Sequence, residues 1–167
     1  MKRIARFALL AALLLLPGLL AGCARTKPKE IRGVRHLRFS YSCGMGITDQ
    51  VYYTLDKTEE GYTAMVKPQG VDPSEPLNVP VDESFVGQVE QLLRENHVEK
   101  WYGFNKRARN IMDGIGFTFS LKLNDGSEVE AVGYMRWPDR YGNVEGGLNS
   151  LFLGLWEASG RELPESY

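Results

Sequence analysis

A chain of 167 residues with 43% apolar residues, 11% aromatics and a formal net charge of −1 has an ordinary globular composition. This excludes a disordered chain, a collagen-like repeat and a multi-span membrane protein. Two cysteines exclude a disulfide-dense scaffold or a Cys-rich zinc module, and with two histidines no metal site and no cofactor are expected.

The amino-terminal segment differs from the rest. Lys2, Arg3 and Arg6 precede an apolar run from Phe7 to Leu16, then Pro17-Gly18, then Leu20-Ala21-Gly22-Cys23. A basic end, an apolar centre and small residues before a cut are the plan of a secretory signal. The run is too short to span a bilayer, which takes about 20 apolar residues. Leu20-Ala21-Gly22-Cys23 resembles the lipobox of bacterial lipoproteins. The resemblance implies diacylglyceryl transfer to the Cys23 sulfur and cleavage after Gly22. It also implies a product held at the cell membrane on its extracytoplasmic side, because buried acyl chains make a durable anchor. A plain secretory signal with a chance cysteine, or an uncleaved anchor helix, are the alternatives.

The domain boundaries expected from this are a signal peptide over 1–22, a lipidated, basic, flexible tether over 23–35, and one globular domain over 36–167. Lys2, Arg3 and Arg6 are the signal's only charges, so its removal takes the net charge from −1 to −4. Arg25, Lys27, Lys29, Arg32 and Arg35 then stand against Glu30 alone before an acidic remainder. Such a tether suits an anionic membrane, or it is a solvated spacer. An acidic domain argues against a nucleic-acid partner, since phosphate binding needs a basic face.

Within the domain, Leu37, Phe39, Tyr41 and Cys43 alternate with polar residues, as do Val51, Tyr53 and Leu55, and Tyr62–Lys67 reads as a third strand. A loop with Pro68, Pro73, Pro76 and Pro80 follows. Asp82 then reads as the cap of a helix whose apolar face is Phe85, Val86, Val89, Leu92 and Leu93. Phe117, Phe119, Leu121 and Leu123 alternate, turn at Asn124-Asp125-Gly126, and are answered by Val129, Ala131, Gly133 and Met135. A last helix, capped by Asn143, presents Val144, Leu148, Leu151, Phe152 and Leu155. The order β-β-β-α-β-β-α predicts an α+β fold: a two-layer sandwich with a mostly antiparallel sheet of about five strands, covered on one face by two helices.

Candidate chemistry is sparse. Cys43 is the one thiol left once Cys23 is lipidated, and a thiol enzyme would need His36 or His97 as its base. Its in-phase position with Tyr41 reads equally as a small core residue. The aspartates fall in turns with no evident pairing across a cleft. The glycine pairs at Gly44/Gly46 and Gly114/Gly116 lack the context of a phosphate loop. Two aromatic-basic segments remain, Trp101-Tyr102-Gly103-Phe104-Asn105-Lys106-Arg107 and Trp137-Pro138-Asp139-Arg140-Tyr141. Trp, Tyr and Arg are favoured at binding surfaces, so Trp101, Tyr102, Phe104, Trp137 and Tyr141 are the candidate binding residues. The competing reading makes Trp101, Phe104 and Trp137 a plug at the sheet–helix junction.

Val98–Phe104, Met112-Asp113-Gly114 and Gly133–Pro138 together resemble small secreted or lipid-anchored bacterial proteins of uncharacterised role. The resemblance implies an envelope location and carries over no catalytic residue. The function expected is a non-catalytic binding module for an envelope protein or glycan. A thiol-dependent enzyme using Cys43, or a structural or inhibitory envelope protein, are the alternatives.

Overall fold

A computed structural model describes residues 26–42, 50–111 and 113–164. They form an α+β fold around one seven-stranded sheet. The strands are β1 (Val34–Ser42), β2 (Gln50–Thr58), β3 (Gly61–Lys67), β4 (Leu77–Val81), β5 (Phe104–Arg107), β6 (Gly116–Leu123) and β7 (Glu128–Tyr134). The helices are α1 (Glu83–Glu95) and α2 (Tyr141–Ala158), with a 3₁₀ turn over Val98–Trp101. The spatial order is β4-β3-β2-β1-β6-β7-β5. No helix among the described residues is long and apolar enough to cross a membrane.

Two of these strands correct the expectation of about five antiparallel ones. β4 lies inside the proline-rich loop and adds to the β3 edge, with Val79 opposite Ala64. Its ring at Pro80 is tolerated because an edge strand has a side with no neighbour to bond. β5 comes from the first aromatic-basic segment and pairs parallel with β7, Phe104 opposite Ala131, so the sheet is mixed.

Alternation sorts the strands into two faces. Leu37 stands opposite Leu55 and Leu121, and Phe39 opposite Tyr53 and Phe119. These residues are buried, and α1 and α2 cover them: Phe152 of α2 stacks on Tyr53 at 4.8 Å and meets Phe85 of α1 edge-on at 5.4 Å. The opposite face carries Arg38, Tyr52, Asp56, Lys122 and Glu130, the polar complement of the same alternation. His36 points there, its Nδ1 2.6 Å from Asp56 Oδ1.

Asp82 caps α1 as expected, its Oδ1 accepting the Phe85 N–H at 2.9 Å. The cap expected at Asn143 is corrected. α2 begins at Tyr141, and Arg140 before it has a left-handed φ of 59° and no side-chain cap bond. Asn143 instead donates to Asn96 Oδ1 at 3.2 Å, and Arg140 donates to the Glu95 carbonyl at 2.8 Å. The start of α2 is thus fastened to the end of α1, and the guanidinium sits where a helix C-terminus favours a cation.

Residues 26–35, the described part of the 23–35 segment expected to be a flexible tether, pack onto the domain. The Glu128 N–H donates to the Thr26 carbonyl at 2.9 Å, and the Asn124 N–H to the Gly33 carbonyl at 2.8 Å. Pro28 is buried and Ile31 is 1% exposed. β1 itself begins at Val34, whose N–H donates to Glu90 of α1 at 2.8 Å.

Candidate functional site

The aromatic segments converge at the end of the sheet where β6 begins and β7 ends. Phe117, near the start of β6, is the hub. Its ring centroid lies 4.6 Å from Tyr141, 5.6 Å from Trp137, 6.2 Å from Trp101 and 6.2 Å from Phe104. Trp101 also meets Phe119 edge-on at 5.2 Å, and its indole N–H donates to the Asp139 carbonyl at 3.0 Å. That bond ties the 3₁₀ turn to the segment joining β7 to α2, so the two stretches separated in sequence are one unit in space.

Within this unit the five candidate residues divide. Trp101 is 1% exposed and Tyr141 7% exposed, so both belong to the core. Phe104 is half-buried against it. Trp137 is 40% exposed and Tyr102 38%. Trp137 is not loose: its ring lies on Tyr141 at 4.7 Å with an interplanar angle of 28°. One face of the indole is therefore supported by the core while the residue remains accessible, which is the arrangement an aromatic platform requires.

An open pocket of about 540 Å³ lies beside it, lined by Ile115, Trp137, Pro138, Arg140, Tyr141, Gly142 and Glu145. Ile115 is itself exposed, as is the neighbouring Met135. Their backbones are joined by the Met135 N–H donating to the Ile115 carbonyl at 2.9 Å. Burial pushes the Glu145 carboxyl above its usual range. Glu145 thus sets a partly buried carboxyl among the residues that line the aromatic pocket.

Glycine makes this end of the sheet possible. A side chain at Gly133 would place its Cβ 2.1 Å from the Arg136 carbonyl oxygen and 2.3 Å from Phe117 Cε1. The chain after β7 therefore folds back across Gly133 at a separation that no other residue allows. Met135, within this turn, has a φ of 51°.

The sequence reading missed Phe117, Ile115, Met135 and Glu145 as parts of the site. Phe117 was legible only as one inward residue of a strand. Glu145 had a signal, since it follows Tyr141 by one helical turn and shares its face. Cys23, the signal segment 1–22 and Cys43 lie outside the described residues. His97, the second candidate base for Cys43, follows the end of α1 with a φ of 55°, its Nδ1 3.6 Å from Glu99 Oε1.

Comparisons with protein-family models, with curated proteins and with solved structures give no match for this chain.

Proposed function

We propose that this chain is a lipid-anchored extracytoplasmic lipoprotein whose domain is a non-catalytic binding module, with the Trp137 pocket as its ligand site and an envelope glycan or protein as its ligand. The observation that carries the binding reading is Trp137, exposed yet held flat on Tyr141 beside Arg140 and Glu145. Burial of apolar area drives an indole inward, as it does Trp101, so a rigidly supported exposed one calls for a partner. The composition of the pocket favours a sugar ring. Its apolar C–H face fits an aromatic platform, while its hydroxyls match a guanidinium donor and a carboxylate acceptor. Among the described residues that line the pocket, Glu145 is the one carboxylate, which favours binding over two-carboxylate hydrolysis. The anchor reading is supported by Leu20-Ala21-Gly22-Cys23 closing a basic-then-apolar segment.

Titration of the chain with soluble peptidoglycan fragments, followed by tryptophan emission, tests the glycan arm. Capture from envelope extracts tests the protein arm. Saturable binding that Trp137→Ala abolishes is expected in one of them. Binding unaffected by Trp137→Ala, or no binding in either arm, refutes the site. Mass spectrometry of the mature amino terminus tests the anchor, with diacylglyceryl on Cys23 as the expected result.

A further inference from the structure

We propose that the end of the domain around Gly33 and the β6–β7 turn is a membrane-facing footprint resting on anionic phospholipid headgroups, which points the Trp137 pocket away from the bilayer. The inference takes its anchor from the lipoprotein reading above and adds an orientation to it.

The leash between lipid and domain is short. The chain is fastened to the domain from Thr26, through the Glu128–Thr26 bond, and again at Gly33 through Asn124. Buried Pro28 and Ile31 lie between these points, and the Ile31 carbonyl accepts from Arg94 at 3.3 Å. Only Ala24 and Arg25 separate the acylated Cys23 from Thr26. Even fully extended, that stretch spans about 10 Å. A domain tied so closely cannot stand off from the lipid, and whichever surface surrounds Thr26 must lie among the headgroups.

That surface has the matching charge. Lys27, Lys29, Arg32, Arg35 and Lys122 are all exposed there. Lys27, Lys29 and Arg32 line an open pocket of about 600 Å³ together with Asn124 and Asp125. The acids beside them are Glu30, which pairs with Arg32 at 2.8 Å, Asp125, which accepts from Ser127 at 2.6 Å, and Glu128. On the far side of the same end stand Asp56, the β2–β3 turn with Glu59 and Glu60, and Asp82 and Glu83 at the start of α1. An anionic surface therefore draws down the β6–β7 side and lifts the β2–β3 turn. Each basic side chain at such a surface strengthens partitioning by about fivefold.

The consequence for the candidate site follows from the strand between. β6 runs from Gly116 beside the Trp137 pocket to Leu123 beside the footprint. Its eight residues span seven steps of about 3.4 Å, which places the pocket up to about 24 Å from the headgroups.

The test uses the full acylated chain, purified from a host that processes lipoproteins and reconstituted in phosphatidylcholine vesicles with and without phosphatidylglycerol. In a Cys43→Ser background, Lys29→Cys and Asp139→Cys each carry a fluorophore, read against a headgroup-attached quencher. The expected result is loss of emission at position 29 and retention at position 139. A Gly/Ser insertion of about ten residues between Arg25 and Thr26, with Lys27→Glu and Arg32→Glu, restores emission at 29 while the protein still floats with the vesicles. Equal quenching at the two positions, or quenching at 29 that survives the insertion and charge reversal, overturns the footprint and leaves the anchor standing. A chain without acyl mass that does not float overturns both.

Discussion

Gly133→Ala is the substitution that most directly tests how the candidate site is built. The added Cβ meets the Arg136 carbonyl oxygen at 2.1 Å and Phe117 Cε1 at 2.3 Å, both far inside van der Waals contact. Neither neighbour has room to retreat. The carbonyl belongs to the turn held by the Met135–Ile115 backbone bond, and Phe117 is enclosed by Trp101, Phe104, Trp137 and Tyr141. Overpacking of this kind costs about 1–3 kcal/mol, against which replacing glycine in a strand returns about 0.5–1 kcal/mol. The net expectation is a loss of about 1 kcal/mol, or a melting point lower by about 4 °C for a domain of this size. Thermal melts of the chain expressed from Thr26, with near-UV circular dichroism to report the aromatic cluster, measure both. Because Phe117 is one of the two clashing partners, Phe117→Leu and Gly133→Ala combined should destabilise by less than their sum. An unchanged melting point with an unaltered near-UV spectrum refutes the close-approach argument.

Other glycines should behave in the opposite way. Gly87, Gly146 and Gly154 lie in helices with open space where a Cβ would stand, so each change to Ala should stabilise by about 1 kcal/mol, seen as additive rises in melting point. Gly147→Ala should lack that gain, because its Cβ would stand 2.4 Å from Leu92 Cδ1 of α1. Trp101→Ala should cost about 3–5 kcal/mol in denaturant unfolding, whereas Trp137→Ala should cost far less and remove most iodide-quenchable tryptophan emission. Glu145 has a raised carboxyl pKa in the folded state, so its contribution to stability is full below the unfolded pKa and falls as pH rises through the folded one. Glu145→Gln should flatten that part of the stability–pH curve. Asp125 is shifted the other way, held down by the Ser127 hydroxyl and N–H, so its contribution is present above the unfolded pKa and lost as pH falls through the folded value. Ser127→Ala should move the Asp125 titration upward by NMR.

The elements legible from the sequence were those whose period and end signals agree. The inward sets of β2, β3, β6 and β7 alternate without interruption, as does β1 from Leu37 onward, past a register shift between Val34 and His36, and Asp82 stands one residue before its helix. β4 alternates as well, through Leu77, Val79 and Val81, but Pro80 and its proline-rich setting read as loop, and only its place at the sheet edge reconciles the two. β5 has four residues, too few to show a period, and its parallel partner lies beyond β6 in the chain. The start of α2 was misplaced because Arg140 reaches it through a left-handed conformation instead of a side-chain cap. At the site, residue types pointed to the two aromatic segments but not to the division of labour within them. Trp101 and Trp137 look alike in sequence. Their difference is set by Phe117 and by the fold-back over Gly133, both of which depend on the pairing of β6 with β7, which neither tryptophan's own segment reveals.

If the anchor proposed above holds the molecule to a membrane, the two borders of the sheet acquire a further role. Copies tethered to one surface meet side by side much more often than they do in bulk, and a bare strand margin is then an invitation to chain growth. On one margin Pro80 interrupts the row of donors. The other margin is only four residues long and displays Lys106 and Arg107. Each margin is thus short or broken, which disfavours growth of the sheet from one copy to the next.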